Sequence, residues 1–370
     1  MVPVLVKTKL MEGTVKHSRK IFTFNVTMLL LFVVMPAVMN AQMKKVKTVW
    51  VILMENHNWT GNNAGAAFGA PDIKGNPLAP YINGTLLNTS AHAEQYFNPP
   101  GNHPSLPNYL WLEAGTNFGI LSDIEPFDPT DPTDSANLTS TQHLVTQLVA
   151  KGITWKAYAE PDFGNPAFTD CPHDFSEIDV NHLAFVYFAD VTDGINGNPS
   201  SPNCIAHVRP YDELAIDLAN QTSARYNFIT PNLCHDGHEG VAPCDPSEST
   251  DNTQRSDTWL KQNVPLILES AEYKEGGALF IIWDEAEDDG ASSDGPVGMF
   301  LLSRFAKGGG KKAYSNHIHY DHSSTLKTLQ EIFDVEPLLG AAADPATKDL
   351  SDLFKGNCRD GNDNSEGCRE

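Results

Sequence analysis

The chain has 370 residues, with 47 Asp and Glu against 25 Lys and Arg and a formal net charge of −22 at pH 7. This length is enough to bury a substantial core, and we expect one large domain. The acidic balance argues against nucleic-acid binding through a basic face. It also means that an anionic substrate would need a local cation, which points to a bound metal.

Residues 1–41 have the pattern of a secretory signal peptide. Three basic residues precede an apolar run at 28–35, and the small residues Ala37 and Ala41 follow it. We therefore predict cleavage after Ala41 and a secreted or periplasmic protein. The apolar run is too short to span a membrane as a helix, so no transmembrane segment is predicted. The segment contains five Lys or Arg and one Glu, and its removal leaves 20 basic and 46 acidic residues.

The run from Lys47 to Met54 is largely apolar and rich in β-forming residues. It predicts a central strand that is buried on both faces of an α/β sheet. Glu55 and Asn56 follow at its carboxyl end, where open α/β sheets bind ligands, so a metal-binding carboxylate is expected there. A polar surface loop is the alternative that this segment alone leaves open. Residues 60–101 are predicted to form a long loop with at most one short helix.

Ser105 lies between two prolines at the start of a predicted helix. Pro104 and Pro107 push the residues before them out of the helical region, so Ser105 is expected to be extended. The run 109–114 reads as the helix, and Gly115 ends it. A serine at this position has two readings. It is either an N-cap for free backbone amides or a nucleophile that faces the positive end of the helix.

Helices and strands are also predicted in the middle of the chain. In order, they are a helix at 141–151, a strand at 153–158 that ends at Glu160, an irregular insertion at 161–210, a short helix at 211–218, a strand at 226–230, a helix at 258–268, and strands at 278–283 and 297–302.

A histidine cluster follows the strand at 226–230. His235 and His238 flank Asp236 within four residues. An isolated histidine is usually a core or surface residue, but a cluster of this kind at a strand end favours a functional site.

Two adjacent carboxylates, Asp284 and Glu285, follow the strand at 278–283 and repeat the pattern of Glu55. Paired carboxylates repel each other unless a cation or a proton lies between them, so a metal is the simplest explanation. Further along, a helix is predicted to begin near Ser323. His322 would lie at its N-terminus, where the helix dipole disfavours the imidazolium form. A neutral imidazole there can bind a metal or a phosphoryl oxygen.

All six cysteines follow the predicted signal peptide. An even count behind an export signal favours disulfides over zinc ligands or a catalytic thiol. We predict three local pairs in sequence order, namely Cys171–Cys204, Cys234–Cys244 and Cys358–Cys368. The last pair would close a small loop in a polar tail, residues 356–370.

Taken in order, these motifs resemble the phosphoesterase family, which groups secreted acid phosphatases with phospholipases C in the alkaline-phosphatase-like superfamily. The resemblance extends from about Lys47 to Leu338 and includes the His103 to Tyr109 turn. It implies an α/β fold of the alkaline-phosphatase type, with a mostly parallel central sheet and helices on both faces. The catalytic domain would span residues 42–355.

The resemblance also implies roles for individual residues. Ser105 would be the nucleophile, and His235, His238 and His322 would bind the phosphoryl group, assist the leaving group or hold a second metal. His103 and Asn108 are the candidate substrate-binding residues, although His103 is also compatible with simple packing beside the turn. Glu285 departs from the second Asp of the acid phosphatases, which leaves its part in metal binding open. The predicted metal ligands are Glu55, Asn56, Ser105, Asp284 and Glu285.

We therefore predict a secreted, metal-dependent hydrolase of phosphate esters, with a divalent metal ion as its cofactor. Acid-phosphatase-like hydrolysis of monoesters through a phosphoserine intermediate is the leading interpretation. A phospholipase C or another phosphodiesterase is the first alternative. A secreted binding protein that keeps the fold without catalysis is the second. The identity and number of the metal ions, and the oligomeric state, stay open at this stage.

Overall fold

The computed structural model describes residues 41–60, 72–126, 136, 138–176, 178–194, 197–238, 244–286 and 295–356. The predicted signal peptide lies outside this part of the chain, apart from Ala41. The predicted Cys358–Cys368 pair lies outside it too, as does the polar tail beyond Gly356. Within the described segments, no helix is both long and apolar enough to cross a bilayer.

The strands form one large sheet and one small pair. They are β1 (Thr48–Met54), β2 (Ala91–Ala93), β3 (Tyr96–Phe97), β4 (Trp155–Ala159), β5 (Val208–Pro210), β6 (Tyr226–Thr230), β7 (Gly277–Trp283), β8 (Met299–Ser303), β9 (Tyr314–Asn316) and β10 (Tyr320–Asp321). The large sheet has eight strands in the order β5-β4-β6-β1-β7-β8-β2-β9, and β3 pairs with β10.

The centre of the large sheet is parallel. Strand β1 lies between β6 and β7 and runs parallel to both, and β4 and β5 continue the parallel part. Among the described strands of this sheet, β8 alone runs antiparallel to its neighbours, β7 and β2. Every residue of β1 and of β7 is buried, so both faces of the sheet are covered. The predicted α/β architecture with a mostly parallel sheet is confirmed.

The α-helices lie between and after these strands. They are α1 (Leu87–Thr89), α2 (Ser105–Ala114), α3 (Leu144–Ala150), α4 (Pro202–His207), α5 (Asp212–Asn220), α6 (Asn252–Glu269), α7 (Ala271–Gly276) and α8 (His322–Phe333). Helix α2 packs against α8. It ends at Gly115, whose φ is +70° and where a Cβ would lie 2.7 Å from the Leu339 carbonyl oxygen, so only glycine fits.

The sequence-based predictions fail where tertiary contacts decide the backbone. Ser105 is not extended, because Pro104 takes the extended position and Ser105 becomes the first helical residue. The predicted loop at 60–101 contains β2 and β3, which are held by their partner strands. Helix α6 begins at Asn252 rather than at 258, because the Asp251 side chain caps it.

Two disulfides occur in the described residues. Cys171 pairs with Cys204, and Cys234 pairs with Cys244. Both were predicted. The first closes the 161–210 insertion, and the second closes the loop that follows β6.

The parallel strands bring several chain segments to one edge of the sheet. The carboxyl ends of β1, β6 and β7 lie side by side, so the residues that follow them meet there. The Glu55 N–H donates to the Asp236 carbonyl and the Asp284 N–H donates to the Met54 carbonyl, each at 2.9 Å. The backbone itself therefore joins the three strand ends.

Candidate active site

Ser105 faces this edge of the sheet from the start of α2. It is 2% exposed, and its Oγ donates a hydrogen bond of 2.7 Å to Glu55 Oε2. Pro104 occupies the cap position and makes no side-chain cap. The Ser105 hydroxyl therefore contacts a carboxylate of another element instead of serving the helix amides.

Glu55 directly follows β1 and is fully buried. It accepts the Ser105 hydroxyl through one oxygen, and Tyr109 OH donates to the other at 2.6 Å. Burial raises the pKa of Glu55 well above its ordinary value, and the charges of Asp284 and Asp236 raise it further. The two hydroxyl donors oppose this rise. The ionised form of Glu55 is thus destabilised by its burial and by the negative charges around it.

Asp284 directly follows β7 and is also fully buried. Its Oδ1 accepts the Asn56 N–H at 3.0 Å. Its Oδ2 is buried without a hydrogen-bond partner among the described residues. Burial raises the pKa of Asp284 to about 6. An unsatisfied buried carboxylate oxygen is costly, so this atom is suited to a ligand.

The predicted ligands Glu55, Asn56, Ser105 and Asp284 come together here. One end of the Asn56 side-chain amide lies 2.8 Å from Glu55 Oε2 and 3.1 Å from Asp284 Oδ1. If that end is the nitrogen, it donates to both carboxylates; if it is the oxygen, it adds a third oxygen ligand. Asn56 reaches this position from a backbone with φ of +35°, a conformation that asparagine tolerates better than most residues.

The chemistry of this donor set fits a divalent cation. The described part of the chain has no group of three or more His, Cys, Asp and Glu side chains already arranged around one point. However, Glu55, Asp236 and Asp284 are all fully buried. No lysine or arginine in the described segments forms an ion pair with any of the three. Hard oxygen donors with uncompensated negative charge are the ligands that Mg²⁺ and Ca²⁺ prefer.

Glu285 makes a different set of contacts. Its Oε2 accepts Asn108 Nδ2 at 2.8 Å and lies 2.8 Å from His103 Nδ1. Burial raises the pKa of Glu285 to about 7, and the charge of Asp284 adds to this. Asn108 is held in turn by Asn102. The predicted substrate-binding residues His103 and Asn108 therefore meet at Glu285, and His103 reaches solvent with 27% of its side chain exposed.

His322 contacts the backbone of the site. Its Nε2 lies 2.5 Å from the Asp284 carbonyl oxygen, and its Nδ1 lies 3.1 Å from Tyr96 OH. Because a carbonyl only accepts, Nε2 carries the proton and Nδ1 accepts from tyrosine. Burial lowers the pKa of His322 to about 4. The ring is therefore neutral, as expected, but both of its nitrogens already have protein partners.

The residues of the histidine cluster after β6 make contacts in two different parts of the structure. His235 Nδ1 lies 2.9 Å from Glu160, its Nε2 lies 3.3 Å from Glu248, and the ring lines a separate cavity of about 490 Å³. Asp236 lies between the two histidines, and its backbone carbonyl accepts the N–H of Glu55. The backbone N–H of His238 donates to Asp236 Oδ1 at 2.7 Å. Burial raises the pKa of Asp236 well above its ordinary value.

Two further residues of the site were not predicted. His182 Nε2 lies 3.5 Å from Glu55 Oε1, and its Nδ1 lies 3.8 Å from Asp236 Oδ2. Its ring stacks on Tyr109 with centroids 5.0 Å apart, and burial lowers the pKa of His182 to about 3. No sequence signal marks His182 within the 161–210 insertion. Tyr109 belongs to the recognised turn, one helical turn after Ser105, and that spacing could have suggested its contact.

Comparison with known proteins gives a consistent result. A model of the phosphoesterase family matches residues 79–336. A probable acid phosphatase of Kluyveromyces lactis is 25% identical over 242 residues, which cover 64% of this chain and 50% of that protein. An acid phosphatase of Aspergillus fumigatus is 28% identical over 232 residues, covering 61% of this chain and 45% of that protein. The chain thus spans about half the length of these two fungal relatives.

A bacterial relative is matched over more of its length. The phosphatidylinositol-3-phosphatase of Mycobacterium tuberculosis is 25% identical over 278 residues, which cover 75% of this chain and 77% of that protein. Among solved structures, a sulfatase from Pseudoalteromonas sp. superposes with a TM-score of 0.50 at 14% identity, covering 89% of this chain and 76% of that one. At such low identity the likeness shows the fold alone.

Proposed function

The chain belongs to the phosphoesterase family, and we propose that it is an exported, metal-dependent phosphomonoesterase with Ser105 as its nucleophile. The observation that carries this proposal is the 2.7 Å hydrogen bond from Ser105 Oγ to Glu55 Oε2 at the start of α2. A buried carboxylate with a raised pKa is a suitable acceptor for the hydroxyl proton. A serine that served only as a helix cap would not need a hydrogen bond to Glu55.

The reaction would proceed in two steps. Ser105 Oγ attacks phosphorus while its proton passes to Glu55 Oε2, and the ester P–O bond breaks. The alcohol oxygen takes a proton from water as it leaves, and Glu55 then returns its proton to the solvent. Water then attacks the phosphoserine, which releases inorganic phosphate and restores the hydroxyl. Tyr109 keeps Glu55 in place through its hydrogen bond to the second oxygen.

Glu55, Asn56, Asp284 and Ser105 Oγ are the residues that would hold a divalent cation. When bound, such an ion supplies positive charge that offsets the phosphoryl charge and lowers the pKa of the serine hydroxyl. Glu285, which bonds to Asn108 and His103, would instead orient these two residues towards the substrate. His322 would act as a positioning residue through the Asp284 carbonyl.

Monoester hydrolysis is favoured by the relatives, because two are named acid phosphatases and one is named for removing the phosphate of a phosphoinositide. Export is supported by the signal-peptide pattern and by the two disulfides. N-terminal sequencing of the protein from its native host should begin at Gln42; an intact leader on the accumulated protein would refute export.

A panel of esters tests the proposed activity. p-Nitrophenyl phosphate, bis-p-nitrophenyl phosphate and phosphatidylcholine are each assayed with and without a chelator. We expect the monoester to be cleaved fastest, the chelator to abolish hydrolysis, and added divalent metal to restore it. Faster cleavage of either diester would establish the phosphodiesterase alternative. No hydrolysis of any ester, together with no bound metal, would favour the binding protein.

A further inference from the structure

Asp123 places a second anion beside the nucleophile. Its Oδ1 accepts the N–H of Leu106 at 2.9 Å, and Leu106 directly follows Ser105 in α2. The first amides of a helix have no partner within the helix and attract negative charge. Here one of them is already occupied by a carboxylate of the chain.

A phosphoryl group on Ser105 Oγ would need the same region. Its non-bridging oxygens would lie close to the amide of the next residue, where helix N-termini bind phosphate. The carboxylate of Asp123 and the oxygens of a bound phosphate cannot accept this one N–H together. Both are also negatively charged, so each disfavours the other.

Asp123 lies in a more accessible part of the molecule than the other carboxylates. Glu55, Asp236 and Asp284 are fully buried at strand ends, whereas Asp123 is an exposed residue in the loop after α2. Its carboxylate also accepts a hydrogen bond from the Asn181 side chain, and displacement of Asp123 would break this bond. The neighbouring Leu121 is 59% exposed. The negative charge of Asp123 also adds to the raised pKa of Glu285, after the larger effects of burial and of the charge of Asp284.

From this arrangement, and resting on the proposed function, we infer that Asp123 is an internal competitor for the phosphoryl group. It covers the Leu106 amide in the resting protein and is displaced when phosphate binds. This competition lowers the affinity of the protein for inorganic phosphate, the product of the proposed reaction.

Binding of inorganic phosphate tests this inference without turnover. The affinity is measured by titration calorimetry on the purified wild-type protein, Asp123→Asn and Asp123→Ala. Both variants should bind phosphate roughly three- to tenfold more tightly, because one negative charge at a helix N-terminus is removed. Glu125→Gln is the matched control, since it removes the same charge from the same loop, and within the described residues the Glu125 side chain accepts the N–H of Phe175 rather than an amide of α2. It should bind as the wild type does.

A purely structural cap predicts a different pattern. If Asp123 serves only to stabilise α2, both variants would melt earlier, and their phosphate affinity would be unchanged or lower; this result would overturn the inference. Tightening in Glu125→Gln equal to that in Asp123→Asn would also overturn it, because the effect would then be general electrostatics. The proposed function is judged separately, by whether the wild-type protein cleaves the monoester.

Discussion

The contacts of single residues around Glu55 determine what the site can do. One oxygen receives Ser105 and the other receives Tyr109, while His182 lies 3.5 Å away and stays neutral because of its burial. A buried carboxylate with so few donors holds its charge only with difficulty. Small changes in these donors should therefore be visible in activity.

Tyr109→Phe tests this dependence. Loss of the hydroxyl removes one of the two donors that lower the pKa of Glu55, and we expect kcat/KM to fall by roughly ten- to a hundredfold. Tyr158→Phe is the matched control, because it deletes a similar 2.6 Å bond from a buried tyrosine to Asp217. Both variants should lose stability, but only Tyr109→Phe should lose activity. Equal activity in the two variants would contradict the assigned role of Tyr109.

At the scale of elements, α2 is tied to its surroundings by a buried charged group. Glu113, near the end of α2, accepts the Val145 N–H at 2.7 Å and lies 3.2 Å from His143 Nδ1. The other nitrogen of His143 lies 3.0 Å from Asp190. This connection joins α2, which carries Ser105, to the start of α3 and to the insertion.

The His143 connection should make stability depend on pH. Burial lowers the pKa of His143, but hydrogen bonds and charges of Asp190 and Glu113 outweigh it, so the folded-state pKa is raised. A raised histidine pKa stabilises the fold fully below the unfolded value of about 6.5, and this contribution is lost as pH rises through the folded value.

Urea unfolding of the wild type and His143→Gln at several pH values from 6 to 9 measures this contribution. The difference in unfolding free energy should be largest at pH 6 and should shrink as the pH rises. A difference that stays constant over this range would show that His143 acts through packing alone, for example through its stacking on Phe188.

The elements that were predictable carry strong local signals. Glu55 and Asp284 each follow an unbroken apolar strand, and parallel strands in one sheet necessarily bring such ends together. The approach of His182 and Asp123 could not be predicted, because it depends on how the irregular insertion and the loop after α2 pack. The His235 cluster shows the same limit. Its sequence marked the loop, but the backbone turn decides that Asp236 faces Glu55 while His235 pairs with Glu160.

At the scale of the whole molecule, the two disulfides hold the segments that the sheet does not. Cys171–Cys204 closes 33 residues of the insertion that carries His182, whereas Cys234–Cys244 closes only 10 residues beside Asp236. Loop-closure entropy grows with the number of residues enclosed. The two cross-links should therefore differ in what they contribute.

Paired serine variants separate these contributions. Loss of Cys171–Cys204 should lower the unfolding free energy by about 3.7 kcal/mol, and loss of Cys234–Cys244 by about 2.7 kcal/mol. Activity should also fall in the Cys234–Cys244 variant, because the smaller loop positions Asp236 against Glu55. Denaturant unfolding and monoester hydrolysis measure the two effects. Full activity in the Cys234–Cys244 variant would contradict the placement of Asp236 in the site.

The central claim is that Ser105 becomes phosphorylated during turnover, and trapping this intermediate tests it most directly. The protein is mixed with a ³²P-labelled monoester and quenched in acid, and the label is located by peptide mapping. Wild type should carry the label on Ser105, and Ser105→Ala should carry none and should lose roughly a thousandfold in kcat. Ser303→Ala, which removes another buried serine hydroxyl, should label normally. Label on a different residue, or full hydrolysis by Ser105→Ala, would contradict the claim.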